Sequence, residues 1–150
     1  MRAAPIGVTL AGVMLPGNSF DAAQCAASAD RIAAGREVLA RSAVDRQYSD
    51  DPGLMARWGW AGYETSIRDA LATVDQIAES VALGDPSVFE RYLAWLRDVL
   101  EAAGVPAPVL VEHLVRLRAA FVELLPDAAE AGVAALLDNA LRLIGNGGSP

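Results

Sequence analysis

The sequence predicts an all-α, single-domain bundle of five to six helices, preceded by an irregular N-terminal arm. Three observations carry this prediction. Apolar residues recur at spacings of three and four, the period of a helix with one buried face. Gly and Pro stand between most of these runs, giving them stops and starts. No strand-pair or hairpin pattern occurs between residues 21 and 144. A chain of 150 residues suits one domain with a real core. The expected division is an arm at residues 1–20, a helical domain at 21–144 and a disordered tail at 145–150.

In order along the chain, Gly7, Gly12, Pro16 and Gly17 break up the arm. The first helix is expected from Asp21 to Gln47, with Ile32, Gly35, Leu39 and Val44 on one side. Asp51 reads as an N-cap and Pro52 as a first helical residue, opening a short second helix through Leu54, Met55 and Trp58. Gly59 and Gly62 flank Trp60, so the chain should bend there. A third helix then carries the stripe Tyr63, Ile67, Ala70, Leu71, Val74, Ile77 and Val81 to a stop at Gly84. Asp85-Pro86 repeats the cap-and-proline signal and starts the fourth, whose buried face is Phe89, Tyr92, Leu93, Leu96, Val99 and Leu100, ending at Gly104. Leu110, Leu114, Leu117, Phe121 and Leu124 mark the fifth, closed by Pro126. Asp127 with Glu130 resembles a capping box for the last helix, which carries Val133, Leu137, Ala140 and Ile144 to Gly145.

Composition limits the function. The formal net charge is −7 and all 12 basic residues are Arg, scattered among 19 acids. A nucleic-acid binder shows a basic face or stripe; none is visible here, so no nucleic-acid binding is expected. A GC-rich coding sequence accounts for the absence of Lys, with selection for Arg-specific bonds as the alternative. The single cysteine, Cys25, excludes an intrachain disulfide and a thiolate metal site. The run Ile6 to Leu15 has the look of a short signal-peptide core. Pro5 and Pro16 interrupt it and the positive flank is minimal, so a cytoplasmic protein is expected, with no membrane span.

No residue set supports catalysis, and the chain is expected not to be an enzyme. The one histidine, His113, has no second His or Cys near it and reads first as a structural residue on the fifth helix. Its alternative roles are a single axial haem ligand or a pH-sensitive contact. No Glu-x-x-His pair and no phosphate-cradling glycine loop are present. The aromatics draw more interest. Tyr48, Trp58, Trp60 and Tyr63 cluster at one corner, while Phe89, Tyr92 and Trp95 follow i,i+3 steps on the fourth helix and Phe121 lies on the fifth. They suit either ordinary core or an amphipathic pocket for a flat apolar ligand, with Arg91 or Arg57 placed to meet a carboxylate.

From Arg31 onward the chain resembles small helical sensory modules of bacterial regulators, of globin-like or phycobiliprotein-like type. The resemblance rests on Trp58-Gly59 before Gly62-Tyr63-Glu64, on Gly84-Asp85-Pro86 leading to Phe89, Tyr92 and Trp95, and on Gly104-Val105-Pro106 before an aliphatic helix. It implies globin-like or orthogonal helix packing and a sensory or regulatory role. It also implies haem or another tetrapyrrole as the cofactor, held by His113 or a cysteine. Two readings follow. One is a non-catalytic sensory domain, homodimeric through Ala-rich first and last helices, with a small apolar ligand or none. The other is an adaptor whose arm, Ile6 to Leu15, docks on a protein partner.

Overall fold

The computed structural model describes residues 22–147, and the expected arm and residues 148–150 of the tail lie outside them. The described residues form α1 (Ala22–Ala34), α2 (Arg36–Asp50), α3 (Pro52–Leu83), α4 (Pro86–Ala102), α5 (Ala107–Leu124), a single turn α6 (Pro126–Ala128), a π-helical turn (Ala129–Val133) and α7 (Ala134–Gly147). No strand occurs among them. The long α3 is central: α1, α2 and α4 pack on it, while α5 packs on α2 and α7.

The helix starts follow local chemistry. Asp51 and Asp85 are both N-caps, their carboxylates accepting from the N–H of Gly53 and Ser87, with Pro at the next position in each case. Gly84 stops α3 in the left-handed conformation, φ 63°, which a side chain would disfavour. The expected break between a second and a third helix is present within α3: two helical stretches meet across a kink at Gly59, where φ 67° and ψ −167° lie in backbone space kept for glycine. Three expectations are corrected. The first helix is two, because the chain turns at Gly35 and sends α1 and α2 separately onto α3. Asp127 caps nothing; the helical turn already begins at Pro126 with Leu125 as its N-cap. Finally, α7 continues past Gly145 to Gly147, into the expected tail.

The main core joins Ile32, Leu39, Val74, Ile77, Phe89, Leu93, Leu114, Leu117, Phe121, Val133 and Leu137, all essentially without exposure. A second cluster of Ala40, Val44, Ile67 and Ala70 sits where α2 meets α3, and its two alanines let the helices approach closely. Arginine forks tie the helices together outside the core. Arg36 Nε and Nη2 reach the two Asp75 oxygens, both at 2.7 Å, linking α2 to α3. Arg118 does the same to Asp138 between α5 and α7, at 2.8 and 3.2 Å. Lysine, a point charge, could not make either pair of bonds. The first pair is exposed and the second only part-buried, and both contribute less to stability than to the choice of helix neighbours.

Candidate functional site

A cavity of about 360 Å³ opens between α2, α3, α4 and α5. Its origin is steric. Helices α4 and α5 are joined through Gly104, Val105 and Pro106 and touch only lightly. Small residues (Ala61, Gly62 and Ala103) stand where the helices diverge, so the space between them is not filled. The apolar wall comes from Leu54 and Trp58 of α3, Leu96 and Leu100 of α4, Val105 of the connector, and Val109 and Leu110 at the start of α5.

Gly59 and Gly62 set the Trp58 side. The bend at Gly59 brings Trp58 back over the following turn. A Cβ at position 62 would lie 2.3 Å from the Trp58 Cβ, so only glycine fits beneath it. Tyr48 completes this side, and it meets Tyr63 edge-on with ring centroids 5.4 Å apart.

The polar groups of the wall are few. Gln47 is buried and donates from Nε2 to the Val109 carbonyl at 3.1 Å, tying α2 to the start of α5. Thr65, Ser66 and Asp69 line the α3 side. Partial burial raises the Asp69 carboxyl above its ordinary range, with Arg68 opposing that effect. His113, on α5, is 8% exposed, and its Nε2 is buried with no hydrogen-bond partner. Burial, reinforced by the Arg116 charge, lowers its pKa to about 4. The imidazole is therefore neutral at physiological pH.

Of the aromatic residues and the histidine singled out from the sequence, the fold brings Tyr48, Trp58 and His113 to this cavity. Phe89 and Phe121 fill the main core instead, because their positions lie on the inward stripes of α4 and α5. Tyr92 packs against that core, its hydroxyl 3.2 Å from Thr73 Oγ1. Trp60 and Trp95 face outward, 70% and 58% exposed. Tyr63 turns to Asp45 on α2, and its hydrogen bond to that carboxylate raises its pKa. Arg91 is exposed and bonds to Ser87, one turn back on α4, away from the cavity. Arg57 is likewise absent from the wall. Gln47 and Asp69 were not expected in the site. Gln47 left a trace in the sequence, since it falls three residues after Val44 on the apolar face of α2.

A second hollow, of about 390 Å³, is bordered by α1, the end of α3 and the π-helical turn, and it contains Cys25. The cysteine thus belongs to a different wall from Trp58 and His113. Thioether attachment of a tetrapyrrole in the cavity walled by Trp58 and His113 has no sulfur to use. The wall also contains no Arg for a tetrapyrrole's propionates. His113 Nε2 is the right kind of atom for an axial ligand, but the residues around it do not suit the rest of a haem. Among the described residues, no group of three or more His, Cys, Asp or Glu could hold a metal ion, and no helix is long and apolar enough to cross a membrane.

Among known families, the sequence model described as Phycobilisome protein matches residues 15–144. No curated protein and no solved structure matches the chain.

Proposed function

The chain belongs to the phycobilisome protein family, and from that membership together with its pocket we propose that it is a non-catalytic sensory or regulatory domain receiving a small apolar ligand. The observation that carries this reading is the cavity between α2 and α5, apolar on most sides and walled in part by Trp58. A fully packed bundle has no reason to keep such a space open, and empty apolar volume costs stability. An apolar ligand offsets that cost by leaving water for the pocket. The globin-like helical fold of the family is consistent with a ligand held between helices. A tetrapyrrole remains the family's implied class; the wall described above favours a smaller, unlinked molecule.

Diphenylhexatriene, a hydrocarbon without polar atoms, is the direct probe. Its fluorescence should rise and saturate at one molecule per chain. Ala61→Phe, which places a ring at the pocket wall on an exposed turn of α3, should weaken this binding about tenfold. Absence of saturable binding to the wild-type protein would remove the ligand reading and leave the adaptor. An absorbance spectrum of the purified protein, taken with native mass spectrometry, separates a tetrapyrrole from a colourless ligand.

Self-association is part of the same reading. Val38 of α2, Leu83 of α3 and Leu143 of α7 are large apolar side chains left exposed, and Ala26 and Ala27 of α1 are exposed as well. Pairing of two copies would cover some of these side chains, as the Ala-rich first and last helices also suggest. Sedimentation velocity is expected to find a dimer at high micromolar concentration, and a strictly monomeric boundary would overturn this part.

A further inference from the structure

We infer that the ligand of the α2–α5 pocket is uncharged and carries a hydroxyl group that pairs with His113. The inference rests on the pocket being a ligand site and adds the chemistry of what it selects. Three features of the wall decide it.

The first is the orphaned nitrogen. His113 is more than nine-tenths buried, forms part of the wall, and leaves Nε2 without a partner. A buried polar atom in that state costs stability until something bonds to it. Gln47, also in the wall, makes no bond to it; its Nε2 donates to the Val109 carbonyl. Which ring nitrogen holds the proton decides whether Nε2 accepts or donates. A hydroxyl can donate and accept, so it satisfies Nε2 in both tautomers, whereas a ketone or an ether satisfies only one. The nitrogen is closed to water, so the hydroxyl reaches it as neighbouring wall side chains move, and the bond gained offsets that movement.

The second feature is the absence of a cation. No Arg lines the pocket, and Arg116, whose charge acts on His113, is already held by Asp50 at 3.0 Å. A ligand carboxylate would enter an apolar site without a counter-ion, which is costly. The third is Asp69, the one acid of the wall, which adds repulsion for an anion. Together they turn away fatty acids and propionates, and they admit alcohols of the same apolar length.

Decan-1-ol and decanoate form a matched pair that differs only at the head group. Both are to be titrated at neutral pH against protein loaded with diphenylhexatriene. The alcohol should displace the probe about tenfold or more better than the acid. His113→Leu should lower the alcohol's affinity several-fold while keeping diphenylhexatriene bound, because the hydrocarbon makes no use of the nitrogen. His113→Gln, which retains a polar side chain there, should recover part of the alcohol's affinity. Asp69→Asn should improve decanoate binding and leave the alcohol unchanged, and it tests the exclusion of anions even should His113→Leu fail to fold. Equal affinity for the two head groups, or an alcohol affinity indifferent to His113→Leu, overturns the inference while probe binding still upholds the pocket. Loss of diphenylhexatriene binding by the wild-type protein overturns both.

Discussion

The free energy of unfolding should fall by about 3 kcal/mol between neutral pH and pH 4 through His113 alone. The imidazole has an ordinary pKa of 6.5 in the unfolded chain and about 4 when folded, because burial disfavours its charged form and Arg116 repels it. Between these two values the unfolded state holds more protons than the folded one, so stability rises with pH across that window. The contribution is complete above pH 6.5 and is lost progressively as the pH falls toward 4. A difference of this size in pKa corresponds to the stated energy at about 1.4 kcal/mol per unit. Asp69 works in the opposite sense: its raised pKa, caused first by burial, makes the folded state gain relative stability as it takes up its proton on acidification. The Asp85 cap, whose pKa is lowered by its bonds to Ser87, adds a loss only below the ordinary carboxylate range. Urea denaturation at several pH values should therefore show a slope between pH 4 and 6.5 in the wild type that is flattened in His113→Leu. Because the chain has one histidine, its ring proton resonances report the same pKa without any substitution. A midpoint near 6.5 in that spectrum would overturn the prediction, and with it the view of a closed, neutral imidazole in the pocket wall.

The parts of this fold legible in the sequence are those governed by near neighbours. Asp51-Pro52, Asp85-Pro86 and Gly84 act within a turn of themselves, so their residue types announce what the backbone does. The inward stripe of α5 was equally plain, since Leu110, Leu114, Leu117 and Phe121 keep helical spacing and are all buried. Gly35 was not legible as a break: its φ of −96° is one that other residues adopt, and strong helix formers follow it. The π-helical turn at Ala129–Val133 was hidden for a related reason, because Asp127 and Glu130 imitate a cap that the backbone does not use. The aromatic site was half legible. Trp95 follows the i,i+3 steps from Phe89 and Tyr92 but stands one position before Leu96, which continues the inward spacing of Phe89 and Leu93, and a step of one residue turns a helical side chain by about 100°. That single step places it in solvent and Leu96 in the pocket wall. The rest of the pocket depends on which helices become neighbours. Gln47, Asp69, Leu96 and Val109 come from four elements, and no periodicity within one element reveals that they meet.

Gly62→Ala should cost about 3 kcal/mol and open the pocket. The added methyl group would lie 2.3 Å from the Trp58 Cβ and 3.4 Å from Cγ. The first of these is far inside van der Waals contact, and Cβ is fixed to the backbone, so no side-chain rotation relieves it. The bend at Gly59 must widen instead, and overpacking that moves backbone lies at the upper end of its usual cost of about 1–3 kcal/mol. Trp58 would be carried away from the wall, so diphenylhexatriene binding should weaken along with stability. Gly145→Ala, with nothing within 4 Å of the new Cβ, serves as the control, because there the exchange only improves helix propensity. The cause can be isolated by a double-mutant cycle in urea. Trp58→Ala removes the ring but keeps Cβ, so it should leave most of the Gly62→Ala penalty in place. Trp58→Gly removes Cβ as well, so Gly62→Ala should then cost little beyond the background change. Equal penalties in the two backgrounds would show that the glycine is not there to admit Trp58. With the expected inequality, one missing Cβ is what lets a tryptophan fold back across its own helix and wall a cavity that the helices alone would leave open to solvent.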